Sequence, residues 1–349
     1  MGSAATPVVV GLDNGGTSNN ATVLTVDGRF LVDGLLESPS EVQAGPQAAI
    51  EALAGAFAGA LASAGVARDL VRAVGLDTPG PASAVGVISS RGSTNFSQPQ
   101  WRGYDVRGAL ERRLGLPVVY LNDGNAAALY AHHSYFGADA ARRSSASVVV
   151  GTGLGGGLVD GGRVIAGAAG MAGELGHVPL PLTGLLGPGQ PDPVCGCGFV
   201  GDAESVASLT GIARNLLPYW LTRFPGHPLT AQPLARAAKL VRGLGERGDP
   251  LAREIFTQQA KAIGRLFTLV ANLADPHAYF VGGGVVEAAP EFRDWFLATV
   301  REHTVLRKEQ AAVATFALVP ERDMAGARGV ALAALRGVVG AGAMTGARA

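Results

Sequence analysis

This chain of 349 residues has no excess of positive or negative charge and only two cysteines. Only 16% of the residues are charged, and 28 Lys and Arg balance 28 Asp and Glu, so the formal net charge is zero. Proteins that bind nucleic acid usually carry a basic excess or a basic stripe. The sequence shows neither feature, and we therefore expect no nucleic-acid partner.

The two cysteines, Cys195 and Cys197, are separated by a single glycine. A disulfide across so short a spacing would be strained, which fits a reducing compartment. Residues 1–7 lack the positive charge that opens a secretory signal, and no apolar run approaches the length of a membrane span. We expect a cytoplasmic protein with no membrane partner.

Apolar residues are plentiful, because 48% of the chain is hydrophobic. A chain of this length and composition can bury a large core and is comfortable as two domains. The 51 glycines are scattered among apolar runs, as expected for turns and close backbone approaches rather than for a low-complexity tract.

A strand, a glycine-rich turn and a second strand begin the stretch at residues 8–32, where Asp27-Gly28 predicts a further turn and Arg29 to Val32 a third strand. Pro46 is predicted to open an Ala-rich helix that runs to about Ala64.

The strand, glycine-rich turn and strand unit recurs at 147–165. The repetition predicts two α/β domains of related build with a cleft between them. We place a small domain at 1–122, with a C-terminal helix at 325–340 packing back on it. The larger domain is placed at 123–324 and contains an irregular loop at 177–204.

The first glycine-rich turn reads Asp13-Asn14-Gly15-Gly16-Thr17. Glycines let such a turn fold tightly and let backbone N–H groups point at phosphate oxygens. A plain hairpin turn would have the same pattern, so the residues alone leave both interpretations open.

The second turn, Gly151 to Gly157, contains five glycines and satisfies GxGxxG. A dinucleotide-binding fingerprint needs a helix directly after the glycines, and here a strand pattern follows. No GxxxxGK[ST] sequence is present, so the turn is not a P-loop. A phosphate loop inside a hairpin is the favoured interpretation. Gly282-Gly283-Gly284 follows a further strand and by itself indicates only a turn.

Asn122-Asp123-Gly124-Asn125 ends a buried strand and begins an Ala-rich helix. Phosphoryl transfer needs a base that accepts the proton of the attacking hydroxyl, and a carboxylate at this strand end is suited to that role. The alternative is that Asp123 or Asn125 simply caps the helix.

A possible metal site follows in the chain, in which His177 precedes a Cys-x-Cys pair at 195 and 197. Histidine and two thiols are credible zinc ligands, and a carboxylate from Asp202 or Glu204 can complete a tetrahedron. The alternative is two free thiols and a surface aspartate. Glu174, three residues before His177, adds a group that can hold sugar hydroxyls, as does Asn95 in a polar–aromatic loop.

These residues together resemble the ROK family of repressors and sugar kinases, over Val8 to about Leu335. The most specific stretch is GTGLGGGLVDGGRVIAGAAGMAGELGH at 151–177, and LNDGNAAAL at 121–129 is also similar to the family's glucokinase branch. The resemblance implies an α/β chain with the two-domain actin-like ATPase fold, which is ribonuclease H-like. It also implies a sugar kinase that uses ATP and Mg²⁺.

The resemblance assigns roles position by position. Asp123 matches the catalytic base. The phosphate and adenosine segments contain Asp13, Gly15, Gly16, Thr17, Gly151, Thr152, Gly153, Gly155, Gly156, Gly283 and Gly284. The sugar-contacting positions are Asn95, Asn122, Glu174, His177 and Glu204. The zinc ligands are His177, Cys195 and Cys197, with Asp202 at the fourth position.

Two residues depart from the family pattern. Ser18 stands where the family usually has a lysine, so one positive charge near the phosphates is missing. Asp202 stands where the family has a third zinc-binding cysteine, so zinc is either held through a carboxylate oxygen or lost; we favour retained zinc.

The expected activity is transfer of a phosphoryl group from ATP to the 6-hydroxyl of glucose. The alternatives are another hexose, such as fructose, mannose or an N-acetylhexosamine, polyphosphate as the donor, or a non-catalytic sugar-sensing protein. Repressors of the family carry a DNA-binding domain before the first phosphate loop, and Asp13 is only twelve residues from the start. The family also implies a homodimer or homotetramer.

Overall fold

The chain folds into two compact α/β units. The computed structural model describes residues 6–80, 82–89, 96–319 and 324–346. Unit 1 comprises residues 1–141, 157–173 and 321–349, and unit 2 comprises 142–156 and 174–320. Residues 123–141 and 157–173 therefore group with unit 1, whereas the sequence placed the boundary at 122.

In the described part of the chain, ten strands form two five-stranded sheets, with the orders β3-β2-β1-β4-β5 and β10-β9-β6-β7-β8. The two sheets share one arrangement, in which two strands joined by a hairpin lie beside two strands from later in the chain. The strands are β1 Val8–Asn14, β2 Ser18–Thr25, β3 Leu36–Pro39, β4 Val71–Thr78, β5 Val118–Asn122, β6 Ser144–Val150, β7 Leu154–Asp160, β8 Arg163–Val164, β9 Ala278–Gly283 and β10 Thr315–Leu318.

The helices lie mostly between parallel strands or after them. They are α1 Pro46–Ala64, α2 Val106–Leu114, α3 Asp123–Phe136, α4 Leu209–Gly211, α5 Leu217–Arg223, α6 Leu234–Glu246, α7 Pro250–Ala274, α8 Pro290–Glu302, α9 Lys308–Ala311 and α10 Ala325–Gly346. A π-helical segment, Ile212–Leu216, joins α4 to α5.

In unit 1, β1 pairs antiparallel with β2 and parallel with β4, which pairs parallel with β5. The closing helix α10 packs directly on this sheet because glycines face it. A Cβ on Gly11 would lie 2.0 Å from the carbonyl oxygen of Ala327, and one on Gly75 would lie 2.1 Å from that of Val330. These close approaches bring the first turn of α10 to the carboxyl ends of β1 and β4.

Helix α1 is long and apolar enough to cross a membrane by length and composition alone. Its apolar face, including Ile50, Leu53 and Phe57, is buried in the core of unit 1 with residues of β1, β2 and α2. A core helix of a folded domain accounts for both features.

In unit 2, β6, β9 and β10 run parallel. The long helix α7 contributes Phe267, which packs with Tyr279 and Phe316 of the sheet. β7 begins in unit 2, and its residues after Gly156 are grouped with unit 1, together with β8.

One predicted strand is wrong. Residues 29–32 form only an isolated bridge between Leu24 and Phe30, and the third strand of this sheet is β3 at Leu36–Pro39. The predicted turn at Asp27-Gly28 is present, since Gly28 has φ of 91° and its N–H donates to the carbonyl of Thr25.

Candidate active site

The carboxyl ends of β1, β4 and β5 gather polar side chains at one edge of the unit 1 sheet. The parallel register pairs Asp13 with Asp77, and Thr78 with Asn122. Parallel strands bring such residues together because their carboxyl ends meet at the same edge, where α/β proteins commonly bind ligands.

The first glycine loop is a tight turn between β1 and β2. The N–H of Gly15 donates to the carbonyl of Ser18 at 2.9 Å, and Asn14 Nδ2 donates to Asn19 Oδ1 at 2.6 Å. A Cβ on Gly15 would lie 2.7 Å from the Ser18 oxygen, so the turn requires glycine there. Thr17 is exposed at the tip, where a phosphate can reach it.

Asp13 and Asp77 form a pair of acidic side chains. None of the neighbouring groups that shift their pKa values is basic. Asn20 Nδ2 donates to Asp13 Oδ2 at 3.2 Å, and Asp77 is fully buried. Burial raises the pKa of Asp13, and burial together with the charge of Asp13 raises the pKa of Asp77 well above its ordinary value. A Cβ on Gly326, in the first turn of α10, would lie 2.8 Å from both carboxylates.

Replacing Asp77 by asparagine is expected to stabilise the protein at neutral pH. Because the pKa of Asp77 is raised on folding, the native state binds a proton that the unfolded state has released, and stability falls as pH rises above the unfolded pKa. We therefore expect a higher melting temperature than that of the wild type at pH 7, and this gain should vanish near pH 3 to 4, where the side chain is protonated in both states. Thermal melts between these pH values measure it.

The control for that measurement is Asp27→Asn in the exposed turn before β3, which removes a carboxylate without burial. Its melting temperature should follow the wild type at every pH. If Asp77→Asn and the wild type were equally stable at pH 7, burial of the Asp77 carboxylate would not lower the stability of the folded protein.

Asp123 is the first residue of α3, and its side chain is exposed. The helix cap is Asn122, whose Oδ1 accepts the N–H of Asn125 at 2.8 Å. Asp123 Oδ1 accepts the N–H of Gly124 at 2.7 Å. Since Asn122 caps the helix, capping does not explain Asp123.

The second glycine loop joins β6 to β7 in unit 2. Its carbonyls at Gly151 and Thr152 accept the N–H groups of Leu209 and Thr210 at 2.9 and 3.1 Å. Within the described residues, the N–H groups of Thr152 and Gly153 make no hydrogen bond. Free amides on a glycine turn are the donors that a phosphate group requires.

Gly283 ends β9 and has φ of 92°. A Cβ there would lie 2.1 Å from the carbonyl oxygen of Val150, so glycine is needed for β9 to pack against β6. The carbonyl of Gly284 accepts a hydrogen bond from Arg242 Nη1 at 2.7 Å. Sheet packing therefore accounts for Gly283, and its role in adenosine binding stays a prediction.

His177, Cys195, Cys197 and Asp202 form a compact cluster, with one ligand atom of each lying within 4.8 Å of the others. His177 Nδ1 lies 3.1 Å from Asp202 Oδ2, 3.6 Å from Cys197 Sγ and 3.9 Å from Cys195 Sγ. Zn–S bonds of about 2.3 Å and Zn–N or Zn–O bonds of about 2.0 Å in a tetrahedron give ligand separations of roughly 3.3–3.8 Å. The donor set and its spacing fit zinc.

Without a metal, the cluster holds protons that a metal ion would have to displace. A hydrogen bond with Asp202 raises the pKa of His177 to about 9, so without a metal the two form an ion pair. Burial raises the pKa of the Cys195 thiol. Asp202 is fully buried, and its Oδ1 accepts the N–H of Ser205 at 2.9 Å, which orients the other oxygen toward the cluster.

The predicted site residues fall into two groups. Unit 1 contains Asp13, Gly15, Gly16, Thr17, Asn122 and Asp123, and unit 2 contains Gly151, Thr152, Gly153, Gly155, Gly156, Glu174, His177, Cys195, Cys197, Asp202, Glu204, Gly283 and Gly284. Asn95 lies outside the described residues.

Sequence reasoning missed Asp77, Asn20 and Gly326, which contact Asp13 or lie within reach of it. Asp77 carried a signal, since it is a charged residue near the end of an otherwise buried strand, directly before Thr78-Pro79-Gly80. Gly326 carried no such signal, because only the packing of α10 on the sheet brings it near the first glycine loop.

Two α/β units whose sheets share one strand arrangement, each with a glycine-rich hairpin turn, are typical of the actin-like ATPase folds. Phosphoryl-transfer enzymes occur in this class. The profile of the ROK family matches residues 9–336, and the chain belongs to this family. A glucokinase of Streptomyces coelicolor is 32% identical over 289 residues, covering 80% of this chain and 82% of the relative.

Solved structures agree with this assignment. A ROK hexokinase from Thermus thermophilus has a TM-score of 0.73 at 33% identity, covering 95% of this chain and 99% of its own. A ROK glucokinase from Streptomyces griseus, solved with glucose and AMPPNP, has a TM-score of 0.66 at 27% identity, covering 94% and 99%.

Proposed function

We propose that the protein is an ATP-dependent hexose kinase and that glucose is its preferred acceptor. The observation that carries the proposal is the match to the ROK family over nearly the whole chain, with both glycine loops and Asp123 present. Relatives named as glucokinases and a ROK hexokinase structure support the activity.

In the proposed mechanism, Asp123 accepts the proton of the hexose 6-hydroxyl as that oxygen attacks the γ-phosphorus of ATP. The bond from the γ-phosphorus to the bridging oxygen breaks, and ADP leaves. ATP is proposed to bind as its Mg²⁺ complex, in which the ion would neutralise charge on the transferring group. The free amides of Thr152 and Gly153 supply hydrogen bonds to phosphate oxygens as their charge increases.

Asn95, Asn122, Glu174, His177 and Glu204 are the proposed sugar contacts. Carboxylates and an imidazole can accept or donate hydrogen bonds to hydroxyls, and a site built this way discriminates against analogues that lack a hydroxyl. His177 directs Nδ1 into the metal cluster, which leaves Nε2 for a sugar hydroxyl.

We also propose a zinc ion held by His177, Cys195, Cys197 and Asp202. When bound, zinc supplies structural order to the loop between His177 and Asp202 and fixes the orientation of the imidazole. The fully buried Asp202, in place of the family's cysteine, supplies an oxygen as the fourth ligand.

Cytoplasmic location and a homodimeric or homotetrameric state are proposed on the same family membership. ATP is the proposed donor, and Ser18, in place of the family's lysine, leaves polyphosphate as an alternative. The alternative acceptors are fructose, mannose and N-acetylhexosamines.

An ADP-release assay with purified protein tests the proposal across glucose, fructose, mannose, N-acetylglucosamine and N-acetylmannosamine. We expect ADP release that depends on the sugar and is fastest with glucose, and a product that glucose-6-phosphate dehydrogenase oxidises. Polyphosphate in place of ATP distinguishes the donors. ADP release at the same rate with and without every sugar would reject a hexose kinase.

A further inference from the structure

One carboxylate in unit 2 is predicted to contact the sugar. In the structure it also contacts the second glycine loop. Glu204 Oε2 accepts the backbone N–H of Leu154 at 2.9 Å. Leu154 directly follows Gly153 in the loop. A side chain that is predicted to bind the sugar therefore forms a hydrogen bond with the backbone of the loop that is predicted to bind the phosphates.

Among the described residues, the backbone hydrogen bonds that reach this loop from α4 are made to its carbonyl groups. Leu209 and Thr210 donate to the carbonyls of Gly151 and Thr152, and Thr210 adds its hydroxyl at 2.8 Å. Because the amides of Thr152 and Gly153 are free in the described part of the chain, Glu204 is the contact that restrains the adjoining amide.

Gly153 permits this contact. A Cβ at that position would lie 2.4 Å from Glu204 Oε2, so only glycine lets the carboxylate reach the Leu154 amide. The other oxygen, Oε1, lies 3.2 Å from Cys195 Sγ. A carboxylate oxygen has two lone pairs, so Oε1 can accept a hydrogen bond from a sugar hydroxyl in addition to this contact.

We propose that Glu204 is a positioning residue that couples hexose binding to nucleotide binding, with Oε2 fixing the Leu154 amide and Oε1 accepting a hexose hydroxyl. The proposal rests on the hexose kinase function proposed above. A sugar that immobilises this side chain also immobilises the loop, so the nucleotide loses less entropy when it binds. Such coupling is reciprocal, and each ligand tightens the other by the same factor.

Calorimetric titration of AMP-PNP with Mg²⁺, with and without glucose, tests the coupling. In the wild type, glucose should tighten AMP-PNP at least about 5-fold, and AMP-PNP should tighten glucose equally. Glu204→Ala should weaken AMP-PNP about 5- to 10-fold in the absence of any sugar, as expected for the loss of one hydrogen bond of typical net strength. Glu204→Gln should restore that affinity, because its amide oxygen accepts the Leu154 N–H, while glucose affinity stays reduced.

Glu174→Gln is the matched control, since it alters another predicted sugar contact. It should weaken glucose and leave AMP-PNP affinity without sugar unchanged. The proposal is overturned if Glu204→Ala binds AMP-PNP as tightly as wild type without sugar, or if Glu204→Gln binds as weakly as Glu204→Ala. Melting curves and zinc content verify each variant, and the nearly isosteric Gln variant decides the matter if the Ala variant misfolds. Absence of sugar-dependent ADP release in wild type would instead reject the hexose kinase.

Discussion

Asp123→Asn is expected to lower turnover by a factor of about 10² or more, with binding of sugar and nucleotide largely intact. The loss follows from removing the group that accepts the hydroxyl proton, a contribution of about 10²- to 10⁴-fold for general bases. The substitution should leave the fold unchanged, because Asn Oδ1 can still accept the Gly124 N–H that Asp123 Oδ1 accepts at 2.7 Å. Steady-state kinetics and glucose titration measure the two effects separately.

The matched control is Asp139→Asn, which removes an exposed carboxylate from the segment after α3. Its kinetics should equal those of the wild type. If Asp123→Asn turned over at a near-normal rate, another group would have to be the base. If it lost glucose binding altogether, Asp123 would be a binding residue and the lower rate would not report proton transfer.

Local signals predicted those parts of the fold that depend on neighbouring residues. Helix α1 begins at Pro46 and ends before Gly65, as the sequence pattern indicates, because Pro suits the first helical turn and Gly65 adopts φ of 63° at the C-terminus. The glycine turns at 15–16 and 151–157 were likewise recognisable, since tight turns between strands need glycine.

Features that depend on distant parts of the chain were not predictable in this way. β3 forms at Leu36–Pro39 because it pairs with the start of β2, and the alternation at 29–32 gave no sign of this. The pairing of Asp77 with Asp13 depends on the parallel register of β4 on β1. A single sequence shows each residue but not the register that brings them together.

The cluster at Asp202 shows how a substitution that the sequence marked as a departure can be accommodated. Asp202 is fully buried, and its Oδ2 lies 3.1 Å from His177 Nδ1 and 3.9 Å from Cys197 Sγ. In the proposed zinc site, a carboxylate oxygen at this point takes the place of the cysteine sulfur that the family resemblance implies. From the sequence we favour retained zinc; these distances are compatible with it, and zinc binding stays a prediction.

Asp202→Ala is therefore expected to lower zinc affinity by about 100-fold or more, since loss of a single supporting residue around a zinc ligand already costs about 10- to 100-fold. Asp202→Cys should retain zinc, because a thiolate is a strong zinc ligand. Zinc binding must displace the proton of the Cys195 thiol. Burial raises the pKa of this thiol, so the apparent zinc affinity should increase as pH rises.

Chelator competition, metal analysis and thermal melts measure these effects, with the exposed Asp192→Ala as the control. Equal zinc affinity in Asp202→Ala and wild type would exclude Asp202 as a ligand, and His177 would then owe its orientation to the carboxylate alone.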